Sequence, residues 1–222
     1  MLRKVFFGLL WLALVAYSLI SANALSGTFA EDLDLIIRLC LGEWSGINPL
    51  IITIFYLMGI FPIVYAALIL FDRNQQISPT TFVICSFGVG AFALLPYLIL
   101  RQRDRSWNGH KTWLQKILDS RLTAIITSVA VIVLITWGIT QGDWSDFAAQ
   151  WQTSQFIHVM SLDFLILCCL FIAILEDDQI RRGIDNSLLK TVALLPLFGV
   201  LIYWCLRPQL PDTANLRQSV VN

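Results

Sequence analysis

Residues 47–70 read INPLIITIFYLMGIFPIVYAALIL, twenty-four positions without one charged side chain. About 20 apolar residues in a helix match the roughly 30 Å hydrocarbon core of a bilayer. This stretch therefore reads as a transmembrane helix, interrupted at Pro62. Similar runs lie outward from it, at about 5–22, 80–100, 122–139, 154–175 and 188–206. Apolar residues make up 57% of the 222, charged residues 14%, and the mean hydropathy is +0.73. A soluble domain is roughly a quarter charged, and a chain of this length could not hide so much apolar surface from water. The expectation is an all-α polytopic integral membrane protein. It has about six transmembrane helices plus short amphipathic interfacial helices, with residues 1–206 as one transmembrane domain. A polar tail over 207–222 is expected to be disordered.

Three connecting segments carry pattern. Over 28–43, Thr28 and Glu31 form a capping box. Phe29, Leu33, Ile36, Ile37, Cys40 and Leu41 then recur at helical spacing, as in a helix lying on a membrane surface or against the bundle. The basic loop 101–121 carries Arg101, Arg103, Arg105, Lys111 and Lys116, with Trp113, Leu114, Ile117 and Leu118 as an apolar stripe. It suits anionic headgroups or a docking partner. An acidic, Trp-bearing loop holds Asp143, Trp144, Asp146 and Trp151. The first run ends in Ala22-Asn23-Ala24, which mimics a signal-cleavage site. It is longer than a signal's apolar region and contains Trp11 and Tyr17, so it reads as a retained span.

Fifteen basic and fifteen acidic residues cancel, and nothing points to nucleic acid. With six spans, the links after the first, third and fifth hold ten of the basic residues and the other face five. That bias puts the loop around Gly109 inside and the N-terminus outside, although Arg3 and Lys4 argue the reverse. Ala93-Leu94-Leu95-Pro96 is echoed by Ala193-Leu194-Leu195-Pro196. Two three-helix halves of opposite orientation would follow, a layout found in transporters.

Asp163 is the one acidic residue well inside a span, and a carboxylate there is costly. It reads either as a proton relay or ion ligand, or as a hydrogen-bonded lock between helices. His158 lies about 140° from Asp163 around an ideal helix, with Ser161 on its own side. It is either an interfacial hydrogen-bonding group or a pigment or haem ligand. His110, in the basic loop, reads as solvated. Gly88-Val89-Gly90-Ala91-Phe92-Ala93 matches G-x-G-x-x-A but lacks the strand such a motif needs. It reads as a smooth helix face with Ser86. Pro62, Pro96 and Pro196 mark either passive kinks or broken helices. Cys40, Cys85, Cys168, Cys169 and Cys205 lack metal spacing and read as buried small hydrophobes. No hydrolase, zincin or nucleotide motif occurs, and no cofactor or metal is expected.

Asn48-Pro49-Leu50, 58–65 (MGIFPIVY), 90–97 (GAFALLPY), Asp163-Phe164, 194–199 (LLPLFG) and Leu206-Arg207-Pro208 carry a resemblance. They resemble an uncharacterised polytopic membrane protein family of cyanobacteria and plant chloroplasts. Residues 156–208 also resemble the DUF2834-type membrane domain. The resemblance implies a thylakoid or cyanobacterial plasma-membrane home and no particular activity. Two functions remain open. One is a non-enzymatic auxiliary or assembly factor that binds photosynthetic membrane proteins. The other is a small-solute or ion carrier using Asp163.

Overall fold

The computed structural model describes residues 2–25, 27–73, 75–107 and 109–212. Among these, all regular structure is helical. Four stretches are long and apolar enough to cross a membrane: Leu2–Ser21, Pro49–Ile69, Arg121–Gln141 and Gln155–Arg181. They correspond to α1 (Leu2–Ala24), α3 (Pro49–Ile69), α7 (Arg121–Gln141) and the rod formed by α9 (Gln155–Leu170) and α10 (Ile172–Arg181). The start of α1 and the ends of α3 and α10 meet at one end of the bundle. There Arg3 lies 4.0 Å from Asp177, and Arg181 donates to Asp72 at 2.6 Å. At the other end Asn48 caps α3 and donates to Asp146 at 2.8 Å, while Gln155 donates to the Ser18 carbonyl. The two ends are called the ionic end and the far end below.

The third and sixth expected spans are each broken and doubled back. The third becomes α4 (Pro79–Val89) and α5 (Ala91–Leu100), of 11 and 10 residues. Each is about 15 Å long, half a bilayer core. They turn at Gly90, whose φ of 50° and ψ of −126° are open only to glycine. The arms lie side by side: Phe82 and Tyr97 rings are 5.6 Å apart. At the base Gln75 and Gln102 exchange two hydrogen bonds of 2.9 Å, so both arms start and finish at the ionic end. The sixth becomes α11 (Ser187–Val192) and α12 (Phe198–Leu206). Arg182 donates to the Pro208 carbonyl at 2.6 Å, which returns this second pair to the end it left. Hydropathy alone could not distinguish one long apolar rod from two half-length arms.

The doubling back changes the internal repeat. The matching residues lie 106 positions apart: Asn48 and Ser154, Tyr65 and Phe171, Asp72 and Asp178, Tyr97 and Tyr203, Arg101 and Arg207. Asn48 and Ser154 cap α3 and α9 with their side chains. Tyr65 and Phe171 stack on each other with centroids 4.1 Å apart, where a two-fold axis would make equivalent residues meet. Each half is a rod leaving the ionic end, a rod returning, and a hairpin rising from that end. The halves therefore run parallel rather than inverted. Ala93–Pro96 lies within α5, but 193–196 lies in the bend before α12, so that echo does not pair equivalent positions.

α3 is the central element, with more than half its length buried against α4, α7 and α9. α1 packs on α5, and α7 on α12 as well as α3. The outer faces of α1 and α7 stay apolar and exposed, with Leu9, Leu12, Ile125, Ile132 and Val133 all open. Cys168 alone among the cysteines is buried; Cys40, Cys85 and Cys169 are exposed. At the far end lies α2 (Phe29–Leu41), with the expected capping box. Tyr56 donates to its Leu39 carbonyl at 2.9 Å. The acidic loop is also a helix, α8 (Trp144–Thr153), capped by Asp143. In the basic segment a second capping box, Thr112 with Gln115, starts α6 (Trp113–Leu118). Most of the expected polar tail lies beyond residue 212, outside the described residues.

Candidate functional site

Asp163 sits on α9 at the tip of the first hairpin and is 2% exposed. The Ala91 amide donates to Oδ1 at 2.9 Å and to Oδ2 at 3.2 Å. Breaking the third apolar run at Gly90 frees the first amides of α5 and aims its positive dipole end into the middle of the bundle. The carboxylate meets both needs. Gly90 follows from the same contact, because a Cβ there would overlap the Asp163 carboxylate. The Trp11 indole donates to the Phe92 carbonyl at 3.0 Å and fixes the tip from the other side. The Gly88–Gly90 pattern thus makes a turn rather than a smooth helix face.

A cavity of about 600 Å³ runs from the far end down to this tip. Phe55, Phe87, Phe92, Phe156, Met58 and Met160 line it, Asp163 lies at its floor and Asp32 at its mouth. A second cavity of about 720 Å³ shares Asp32 and adds Glu31, Asp34 and Arg38 from α2. Asp32 is held in place by the Ser154 hydroxyl at 2.7 Å and the Phe156 amide at 3.0 Å. Glu31 is held below the usual carboxylate range by hydrogen bonds from the Thr28 amide and hydroxyl.

The ionic end is closed by a buried charge layer. Asp72 takes hydrogen bonds from Tyr97 at 2.7 Å, Arg101 at 2.5 and 2.8 Å, and Arg181 at 2.6 Å. Asp178 takes them from Tyr203 at 2.7 Å and from Arg182 and Arg207 at 2.9 Å. Arg101 links the two halves by donating to Asp177 at 2.6 Å. Asp119 closes the layer with Arg182 at 2.7 Å and Lys111 at 2.6 Å. Burial alone would lower the Arg101 guanidinium; its bonds to Asp72 and Asp177 hold it above its ordinary value. Desolvating this many charges is costly unless each is paired, so the layer fixes one arrangement of the helix ends.

Several candidates move as a result. Arg101 is 3% exposed and the Lys111 side chain 8%, both spent on internal ion pairs rather than on a lipid or partner surface. Arg103, Arg105 and Lys116 remain at the rim, with side chains 49%, 40% and 59% exposed. Arg103 and Arg105 pair with Glu176. Arg105's hydrogen bond to Asp177 raises its guanidinium above the ordinary value. Trp113 projects outward, 72% exposed. His158 is buried, with Nε2 2.6 Å from the Tyr17 hydroxyl and Nδ1 2.9 Å from the Trp151 carbonyl. A carbonyl only accepts, so Nδ1 carries the proton and Nε2 accepts from Tyr17. No lone pair is left for a pigment or metal. Ser161 donates to the Ile157 carbonyl at 2.7 Å, a local bond within the helix. The structure joins neither residue to Asp163. Among the described residues, no group of three or more His, Cys, Asp or Glu is arranged to hold a metal ion.

The sequence reading missed the charge layer, because each member sits at the end of an apolar run and looks like a solvated flank. One signal was available: Tyr97-x-x-x-Arg101 recurs as Tyr203-x-x-x-Arg207, each following an acid at the end of the preceding rod. No protein-family model, curated protein or solved structure matches this chain.

Proposed function

We propose that this chain is an integral membrane protein with four bilayer crossings and two re-entrant hairpins, and that it carries a small solute past Asp163. The observation supporting the topology is charge placement. Thirteen of the fifteen Lys and Arg lie on the side of the ionic end; the exceptions are Arg38 and Arg217, the latter beyond the described residues. That asymmetry far exceeds the ten-to-five split of a six-span arrangement and makes the ionic end cytoplasmic or stromal. It also removes the conflict over Arg3 and Lys4, since the N-terminus joins the basic loop on one side. The carrier reading rests on the groove: open at the far end, floored by a carboxylate and a half-helix terminus, closed below by the ionic layer. Discontinuous helices at mid-depth are a recurrent transporter device.

A cysteine at Gly88 tests this reading. Position 88 lines the groove and has free space for a side chain. In oriented vesicles of a protein otherwise free of cysteine, an impermeant thiol reagent should reach it quickly from the far side and slowly from the ionic side. Labelling from the far side alone under every condition contradicts a carrier. A second reading, an auxiliary factor for other membrane proteins, rests on the exposed stripe of α2: Phe29, Leu33, Ile37 and Leu41. Comigration with a large complex on native gels supports that reading. The thylakoid or cyanobacterial plasma-membrane home implied by the resemblance is tested by membrane fractionation.

A further inference from the structure

We propose that the groove above Asp163 takes an organic cation with an apolar, partly aromatic body, its charged head lodged against the Asp163 carboxylate. This rests on the reading of the groove as a solute site and goes further by assigning the chemical class. The walls are aromatic and thioether: Phe55, Phe87, Phe92, Phe156, Met58 and Met160. Such a lining suits an apolar body, and the faces of aromatic rings attract a cation through their quadrupole. Asp163 is the charged group at the floor. In its ionised form the carboxylate sets a full negative charge against about half a positive charge from the α5 terminus, which leaves a net negative site at the bottom of an apolar groove. A neutral ligand would leave that charge without a counterpart, and an anion would be repelled by it.

The approach has the same sign. The far end holds Glu31, Asp32, Asp34, Glu43, Asp143 and Asp146 against Arg38 alone. Glu31, Asp32 and Asp34 line the cavity beside the mouth, and Asp32 lines both cavities. An acidic rim over low-dielectric walls raises the local concentration of cations. The chain's zero net charge conceals this polarity, because the ionic end carries the compensating excess of base. A metal cation fits poorly, since the aromatic and thioether walls offer few oxygen ligands to replace its hydration shell.

The test uses two ions of nearly the same shape and opposite charge, tetraphenylphosphonium and tetraphenylborate. Equilibrium binding is measured to the full chain in phosphatidylcholine nanodiscs at pH 8, with empty nanodiscs subtracted. The cation should bind saturably and at least tenfold tighter than the anion. Asp163→Asn keeps an oxygen for the Ala91 amide and should weaken the cation at least tenfold while leaving the anion unchanged. Gly88→Leu, at a groove-lining position where a Cβ meets nothing within 4 Å, puts a bulky side chain into the groove and should abolish saturable cation binding; circular dichroism and a thermal scan check that both variants fold. Equal binding of the two ions overturns the proposal, as does an unchanged cation affinity in Asp163→Asn. If cation binding is Asp163-dependent but Gly88→Cys is never reached from the ionic side, the carrier reading fails and the ligand class stands.

Discussion

Tyr97 and Arg101 anchor the first hairpin on Asp72, and Tyr203 and Arg207 anchor the second on Asp178. The tips differ. The first turns through Gly90 and is closed by Asp163, a side chain from the other half. The second bends at Leu197, where φ is 65° and ψ −65°, and the Phe198 amide donates to the Pro196 carbonyl at 2.8 Å. That is a γ-turn of the rare, strained hand. The acid has no twin: 106 positions before Asp163 stands Leu57. Two equivalent frames therefore share one anchoring chemistry, and only one frame presents a charged group at mid-depth. Shared features point to architecture, and the unshared one to function.

The anchors should respond alike and most strongly. Arg101→Leu and Arg207→Leu each leave a buried carboxylate short of its partner, a loss of about 3–5 kcal/mol, read as a fall in Tm of the purified protein. Adding Asp178→Leu to Arg207→Leu should lower Tm further, because the buried Tyr203 hydroxyl and Arg182 guanidinium then lose their shared acceptor. A large effect in one half and none in the other breaks the equivalence of the frames. The tips should respond unequally. Gly90→Ala meets both a positive φ and the Asp163 carboxylate, and should cost about 2–4 kcal/mol. Leu197→Gly trades relieved strain against lost packing and should stay within about 1 kcal/mol of the parent.

Smaller effects sharpen the contrast. Asp163→Leu strands the Ala91 amide and should cost about 1–3 kcal/mol, whereas Asp163→Asn should leave Tm nearly unchanged and remove function. At the far end, Thr28→Ala should cost about 1 kcal/mol of α2 stability. The Glu31 half of that cap has a definite sign with pH. Its folded pKa is lowered, so its contribution is complete above the ordinary carboxylate value and fades as pH falls through the lowered one. Exchange protection of α2 amides, followed downward in pH, checks this.

The helical class, the four long rods, the capped helix α2 and the burial of Asp163 between helices were all legible in the sequence, because each depends on local composition or spacing. The hairpins were not. Residues 80–100 carry no charged side chain, and whether such a run crosses or doubles back depends on where its ends are tied, which is a tertiary matter. The clue lay in the conflict over Arg3 and Lys4, which disappears once both apolar segments fold back. α8 was readable from Asp143 followed by Trp144, Phe147 and Trp151 at helical spacing, but its net acidity suggested a loop. Of the two readings of His158, the structure carries the hydrogen-bonding one, with both ring nitrogens engaged by Tyr17 and the Trp151 carbonyl.

Doubling back of the third apolar segment is the claim from which the repeat, the groove floor and the orientation all follow. Its most direct test is a pair of cysteines at Gln75→Cys and Gln102→Cys, with the five native cysteines replaced by alanine. In the hairpin these positions are hydrogen-bonded neighbours, with side chain and backbone 2.9 Å apart. In a continuous kinked helix, 27 residues apart in sequence, they would lie about 40 Å from each other. Mild oxidation in native membranes, or a short bis-thiol reagent, should link them, with the joined tryptic peptides found by mass spectrometry. Two thiols that each react with a monofunctional reagent yet never join would contradict the hairpin.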